Sequence, residues 1–120
     1  VGDEWYNFTH SIFKADGCKW YALTLYTFDR LTLRPKRYVA EPLLWPERGD
    51  WPQRSDTEMP VYDIFPCSAF YRDGLWNISY GYCGVGWRLA QFDHQQLNQL
   101  LQPVEGLANG NQTQPGPFDA

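Results

Sequence analysis

The chain has 120 residues, of which 43% are hydrophobic and 18% aromatic, and it carries a formal net charge of −4. This length suits one domain with a core of its own. Basic residues are scattered, which excludes a nucleic-acid partner because phosphate neutralisation needs clustered cations. The longest apolar stretches fall far short of the about 20 residues that span a bilayer. We therefore expect neither nucleic acid nor a membrane as partner.

Three cysteines stand at long and irregular spacing, at Cys18, Cys67 and Cys83. This spacing fits no pattern of zinc ligands, and an odd number disfavours a disulfide framework. We interpret all three as reduced, small hydrophobic side chains. The sequence therefore predicts a cytoplasmic protein with no metal and no cofactor.

The first half of the chain predicts three strands. Residues 5–13 are aromatic and lead to Asp16-Gly17, a dipeptide typical of tight β-hairpins. The returning strand is predicted over 19–28 and a short third strand over 37–40. Prolines and charged residues without periodicity then predict a long loop over 46–60.

The second half predicts another hairpin unit. Residues 61–65 and 68–72 are strand candidates that lead to Asp73-Gly74, and strands over 75–80 and 87–92 follow.

A short helix is predicted over residues 94–101. Asp93 is its expected N-cap, Gln96 completes a capping box, and Pro103 ends it. His94, at the start of this helix, is expected to be exposed. Residues 103–120 are rich in Gly, Asn, Gln and Pro, which predicts a disordered tail. The prediction is thus a single β domain over residues 1–102.

The two hairpin units share features that suggest an internal repeat over residues 5–44 and 61–92. Asp16-Gly17 and Asp73-Gly74 lie 57 residues apart, as do Phe13 and Phe70, and Trp20 aligns with Trp76 at one residue less. The alternative is two unrelated hairpins with the same common turn. A period of this length suits one β-propeller blade with its connection.

The predicted fold class is therefore all-β and antiparallel, with two propeller-blade-like repeats and a short C-terminal helix. Two blades alone leave apolar faces open. Either the chain forms a homo-oligomer, or the units pack on each other as a sandwich, or the gene encodes further blades.

The order of several motifs resembles a known family. They are Tyr6-Asn7-Phe8-Thr9-His10, Tyr26-Thr27-Phe28-Asp29, Ala40-Glu41-Pro42-Leu43-Leu44-Trp45-Pro46-Glu47, Ile64-Phe65-Pro66-Cys67-Ser68, Asp73-Gly74-Leu75-Trp76 and Ser79-Tyr80-Gly81. Together they resemble the C-terminal part of five-bladed β-propellers of glycoside hydrolase family 130, the β-mannoside phosphorylases and mannosidases. They are also similar to propeller segments attached to bacterial glycosyltransferases. The resemblance implies a partial five-bladed propeller that is incomplete as a catalyst, because the family's general acid lies on an earlier blade.

The resemblance also departs from the family at one point and implies a set of ligand contacts. The run from Tyr80 to Gly86 lacks the aspartate that usually follows the family's Tyr-Gly pair. The implied ligand is a sugar or phosphate. The resemblance implies His10, Phe65 and Ser68 as ligand-binding candidates. Asp63, Tyr80 and Arg88 are further candidates from their side-chain chemistry, although strand pairing also explains Tyr80 and Arg88. No catalytic residue is predicted.

Three functions remain open at this point. The first is a carbohydrate-associated propeller segment that is inactive alone. The second is a small binding or oligomerisation module. The third is an independent enzyme that uses His10 with Asp29 or Asp63, since glycoside hydrolysis needs closely held acidic groups.

Overall fold

The computed structural model describes residues 1–47, 61–84 and 86–104, which form seven strands and one helix. The all-β prediction is confirmed, and aromatic, threonine and branched residues fill the strands. In chain order the elements are β1 (Glu4–Ala15), β2 (Cys18–Asp29), β3 (Pro35–Val39), β4 (Val61–Arg72), β5 (Leu75–Tyr82), β6 (Gly86–Asp93), α1 (His94–Leu100) and β7 (Leu101–Pro103).

Both Asp-Gly pairs form the predicted hairpin turns. Asp16 and Gly17 have φ angles of 53° and 71°, and Asp73 and Gly74 have φ angles of 52° and 77°. Two consecutive left-handed residues define a type I′ turn, whose twist matches that of the flanking strands. The turns thus fix the register of β1 with β2 and of β4 with β5.

The strands form one open sheet in the order β6-β5-β4-β2-β3-β7, with β1 paired to β2. All pairings are antiparallel except that of β2 with β4, which runs parallel from Lys19 beside Val61 to Tyr21 beside Asp63. β1 covers the whole of one edge of β2. The other edge is shared by β4, by a bridge from Leu23 to Leu44, and by β3. Separate blades are not distinguished within the described strands.

β4 is one continuous strand where the sequence predicts two pieces. The interruption expected at Pro66 is a bulge, because the register with β5 shifts between Pro66 and Ser68 and leaves Cys67 without a directly opposite residue. A proline within a strand is tolerated at a bulge.

The two tryptophans aligned in the predicted repeat occupy different positions. Phe13 lies opposite Trp20 in the first hairpin, whereas Phe70 lies opposite Asn77 in the second. Trp76 lies opposite Tyr71 and therefore points to the other face from Phe70. The repeat holds for the turn and the phenylalanine, but not for the tryptophan.

The core lies between the first hairpin and the strands of the second. Leu23 and Leu25 of β2, Ile64 of β4 and Ile78 of β5 are completely buried. Tyr6 of β1 stacks on Trp76 of β5 at a centroid distance of 4.9 Å. These contacts hold the two hairpin units together.

A half-buried polar cluster joins β1, β3 and α1. Arg37 donates from Nε to Glu4 Oε2 at 3.0 Å, and its Nη2 lies 2.9 Å from Glu4 Oε1. The same Nη2 donates to Asn98 Oδ1 at 2.7 Å, which also accepts from the Tyr6 hydroxyl at 3.0 Å. Charge-assisted pairs of this geometry are strong and directional.

The predicted helix is confirmed, and Asp93 Oδ2 accepts from Gln96 N at 3.0 Å as its N-cap. The prediction that His94 is exposed is wrong. Its ring is half-buried beside Tyr71, and its Nδ1 accepts from Trp76 Nε1 at 3.1 Å.

The chain continues past the helix as a strand that the sequence did not predict. β7 pairs with β3, with Leu101 opposite Val39, and Val104 is buried.

Most of the predicted loop over 46–60 and most of the predicted tail over 103–120 lie outside the described residues. None of the three cysteines, all of which are described, takes part in a disulfide. In the described ranges, no helix is long and apolar enough to cross a membrane.

Candidate functional site

The outer face of β4, β5 and β6 carries a row of residues that forms a cleft. Phe65, Gly81 and Trp87 lie directly opposite one another across the three strands. The two rings are 54% and 72% exposed, and the glycine between them contributes no side chain. The result is a depression of about 290 Å³ with an aromatic ring on each side, which we call the Phe65–Trp87 cleft.

Asp63 provides the acidic group of this cleft. It lies two residues before Phe65 and hence on the same face of β4. Its backbone oxygen accepts from Cys83 N at 2.7 Å. Cys83 and Gly84 have φ angles of 53° and 79°, so the turn after β5 bends tightly beside Asp63. This bond fixes the glycine-rich turn as one wall of the cleft.

His10 meets the cleft from β1. Its ring lies 5.5 Å from that of Phe65 and 5.2 Å from that of Tyr21, measured between centroids. Tyr21 is the residue beside Asp63 in the parallel pairing of β2 with β4. The predicted candidates His10, Asp63 and Phe65 are therefore neighbours, although 53 residues separate His10 from Asp63 in the chain.

Ser68 lies in the next row on the same face. After the bulge at Cys67 it is directly opposite Ser79, and the two hydroxyl oxygens are 2.6 Å apart. This hydrogen bond orients both side chains next to the cleft. Cys67 itself lines the cleft and is exposed.

Tyr80 and Arg88 do not join this group. They are opposite each other in β5 and β6, one position away from the row of Gly81 and Trp87, and so point to the other face of the sheet. Tyr80 is 6% exposed and belongs to the core. The Arg88 guanidinium lies 3.7 Å from the centre of the Tyr82 ring in a cation–π contact. Packing thus accounts for both residues.

The described lining of the cleft contains a single carboxylate. It is that of Asp63, whereas glycoside hydrolysis uses two. Asp29 lies eight residues beyond Tyr21 along β2, which corresponds to roughly 26 Å of strand. In the described part of the chain, no group of three or more His, Cys, Asp or Glu side chains could hold a metal ion.

Asp29 has a structural role in its turn. Its Oδ1 accepts from Thr32 N at 2.8 Å and from Leu31 N at 2.9 Å. These two hydrogen bonds hold the pKa of the Asp29 carboxyl below its usual value. Asp29 therefore closes the connection from β2 to β3.

Two further depressions lie elsewhere in the described structure. One of about 370 Å³ separates residues 39–43 from α1, and its lining includes none of the predicted ligand residues. The other, of about 570 Å³, lies along β1 and includes His10. The Phe65–Trp87 cleft is the depression that contains both Asp63 and Phe65.

Sequence reasoning missed Trp87 and Gly81 as parts of the site. The alternation of large apolar and polar residues in 87–92 marks a strand, but only the register with β5 shows that Trp87 faces Gly81. A lone glycine between tyrosines is the signal that could have indicated an open position in the strand.

Comparisons of the chain with family models, curated proteins and solved structures returned no match.

Proposed function

We propose that this chain is a carbohydrate-binding β domain without catalytic activity of its own, and that the Phe65–Trp87 cleft is its binding site. The observation that carries the proposal is the pair of exposed rings on either side of a glycine, with Asp63 beside them. An aromatic face covers the apolar face of a sugar at low entropic cost, and a carboxylate accepts hydrogen bonds from its hydroxyls.

The charge of the cleft favours a sugar over a phosphate. Its described lining contains no lysine or arginine, and Arg88 points to the other face of the sheet. Phosphate recognition draws on charge-assisted hydrogen bonds from such cations. The proposed ligand is therefore a saccharide without a phosphate group.

The proposal extends to the evolutionary origin of the fold and to the cellular compartment of the protein. We propose that the two hairpins are related to blades of the glycoside hydrolase family 130 propellers. Their identical type I′ turns and the spacing of Phe13 and Phe70 support this relation. The odd number of cysteines and the exposed position of Cys67 support a reducing compartment such as the cytoplasm.

The binding proposal is tested by removing one ring. Trp87→Ala removes one aromatic wall from an edge strand and leaves the core unchanged. We expect the affinity for a soluble oligosaccharide that binds the wild type, chosen by screening neutral hexasaccharides, to fall at least about tenfold, or about 1.4 kcal/mol. Isothermal titration calorimetry measures this change.

Trp5→Ala is the matched control, because Trp5 is 51% exposed but lies on β1 outside the cleft. Its affinity should equal that of the wild type. Equal weakening by both substitutions, or none by Trp87→Ala, would contradict the proposed site.

A second candidate function is self-association, which an unpaired edge among the described strands favours. β6 ends the strand order, and its Trp87 and Leu89 are 72% and 63% exposed. An exposed, hydrophobic edge strand is a template for pairing with another chain. The proposed partner is a second copy of this protein.

Sedimentation velocity tests this candidate. If β6 pairs between copies, the wild type sediments as a closed oligomer at micromolar concentration, and Leu89→Lys shifts it to monomer by placing a charge at the edge. A wild type that remains monomeric across this concentration range would rule the oligomer out.

A further inference from the structure

A second depression lies along the first hairpin, outside the Phe65–Trp87 cleft. It measures about 570 Å³ and is lined by residues 9–13 of β1, by Thr24 and Tyr26 of β2, and by residues 38–40 and Pro42. We call it the β1–β3 trough. It is an open groove across three strands, and the Asp16-Gly17 turn fixes the register of β1 with β2.

Hydroxyl groups line the middle of this trough in register. Thr9 lies directly opposite Thr24, and Tyr26 lies directly opposite Tyr38. Thr24 and Tyr26 are two residues apart along β2 and therefore point to the same face. The two pairs thus lie on one face of the sheet, about 6.7 Å apart along the strands. Ser11 continues the same face along β1.

Three of these hydroxyls have capacity for a ligand. Within the described residues, the side chains of Thr9, Ser11 and Thr24 make no intramolecular hydrogen bond, and all three are partly exposed. A hydroxyl can donate one hydrogen bond and accept two. The trough therefore offers several donors and acceptors at fixed positions on a rigid sheet.

Aromatic rings stand at both ends of this row. Phe13 packs against Trp45 at a centroid distance of 4.9 Å, and both rings are about two-fifths exposed, at 38% and 43%. Tyr26 and Tyr38 form the opposite end. Rings that flank a row of hydroxyls provide stacking surfaces as well as hydrogen bonds for a polyol.

The trough carries no formal charge. Its described lining contains no Asp, Glu, Lys or Arg, and the side chain of His10 points to the other face of β1. An anionic or cationic ligand would lose its hydration here without gaining an opposite charge. The lining thus selects for a neutral, hydroxyl-rich ligand.

We propose that the β1–β3 trough is a second saccharide site that binds a neutral sugar chain, separate from the Phe65–Trp87 cleft. The inference shares its class of ligand with the proposed function but rests on different residues. The His10 side chain points to the face of β1 opposite Thr9 and Ser11 and packs against Phe65, so it belongs to the side of the Phe65–Trp87 cleft.

The test uses the full chain and calorimetric titration with neutral cello-, manno- and xylohexaose, with hexagalacturonate as the charged comparison. The double variant Thr9→Val/Thr24→Val removes two hydroxyls and keeps the shape and strand preference of both positions. We expect two binding sites for a neutral hexasaccharide in the wild type and one in the double variant. The Thr9→Val/Thr24→Val change should weaken the trough site at least about tenfold.

Trp87→Ala distinguishes this inference from the proposed function. This substitution should abolish binding at the Phe65–Trp87 cleft and leave the trough site at wild-type affinity. A single site lost with Trp87→Ala alone would overturn the trough and leave the cleft in place. If the wild type has a single site and only Thr9→Val/Thr24→Val abolishes it, the Phe65–Trp87 cleft is overturned and the trough stands.

Ser11→Ala provides a milder check should the double variant fold poorly, and a weakening of two- to threefold is expected from one hydroxyl. The trough inference is overturned if Ser11→Ala binds as the wild type does, if hexagalacturonate binds as tightly as the neutral chains, or if none of the neutral hexasaccharides binds.

Discussion

Gly81 keeps the Phe65–Trp87 cleft open. A Cβ atom added at this position would lie 3.9 Å from the Phe65 Cβ, which is an ordinary contact distance. The backbone of Gly81 has no left-handed φ angle, so a larger residue fits the strand without strain. A side chain here would occupy the space between the two rings. Glycine is therefore needed at this position for the cleft and not for the fold.

Filling this position should block binding and preserve folding. We expect Gly81→Ala to weaken saccharide binding moderately and Gly81→Val to weaken it at least about tenfold. The melting temperature should stay the same or rise, because glycine is unfavourable in a strand and valine is favourable. Calorimetric titration and thermal unfolding measure the two quantities. Wild-type affinity in Gly81→Val would show that the ligand does not enter between the rings.

The connection from β2 to β3 depends on one carboxylate. Asp29 Oδ1 accepts from two backbone N–H groups, and Asp29 O accepts from Leu33 N at 2.9 Å. Leu33 adopts a left-handed φ of 61°, which a side chain rarely favours. The hydrogen bonds to Asp29 thus hold a turn that Leu33 alone would not form.

The lowered pKa of Asp29 makes this turn sensitive to acid. A carboxyl whose pKa is lower when folded stabilises the fold above its ordinary value of 3.8, and this contribution is lost as the pH falls through the lower, folded pKa. Asp29→Asn keeps an acceptor but removes the charge. We therefore expect its melting temperature to fall less than that of the wild type between neutral pH and about pH 2.

Asp73→Asn serves as the control for net charge, because asparagine suits a type I′ turn as well as aspartate does. The fall in melting temperature on acidification should remain larger in this control than in Asp29→Asn. If the melting temperatures of the wild type and Asp29→Asn fall equally as the pH is lowered, the Asp29 charge has no role in stability.

Local signals in the sequence predict the elements well. Asp16-Gly17 and Asp73-Gly74 each dictate a type I′ turn through their own φ preferences, and Asp93 caps the helix through a bond to Gln96 three residues away. β7 was not predicted because its extended form comes from pairing with β3, more than sixty residues earlier in the chain. Pairing of this kind leaves no local signature.

The candidate site is predictable only in part, for the same reason. Phe65 and Asp63 stand out in the sequence as neighbours on an interrupted strand. The place of Trp87 depends on the register of β6 with β5, and a shift of one residue would turn it to the other face. Side-chain type alone does not reveal which face a strand residue occupies, and for this reason the sequence includes Tyr80 and Arg88 among the candidate site residues.

At the scale of the molecule, two long-range contacts bring the site together. The parallel pairing of Tyr21 with Asp63 aligns the two hairpins, and His10 then meets Phe65. The cluster of Glu4, Arg37 and Asn98 ties the opposite end of β1 to β3 and α1. The residues that line the cleft all belong to the second hairpin unit, and the first hairpin adds the His10 ring beside Phe65.

The central claim is that a saccharide binds between Phe65 and Trp87. The most direct measurement is the perturbation of amide signals in ¹⁵N-labelled protein during titration with a neutral hexasaccharide. The account predicts that the signals of Asp63, Phe65, Gly81 and Trp87, together with the Trp87 indole signal, shift in a saturable way. A titration in which these signals stay fixed up to millimolar ligand, or in which the shifts fall outside both the cleft and the β1–β3 trough, would contradict it.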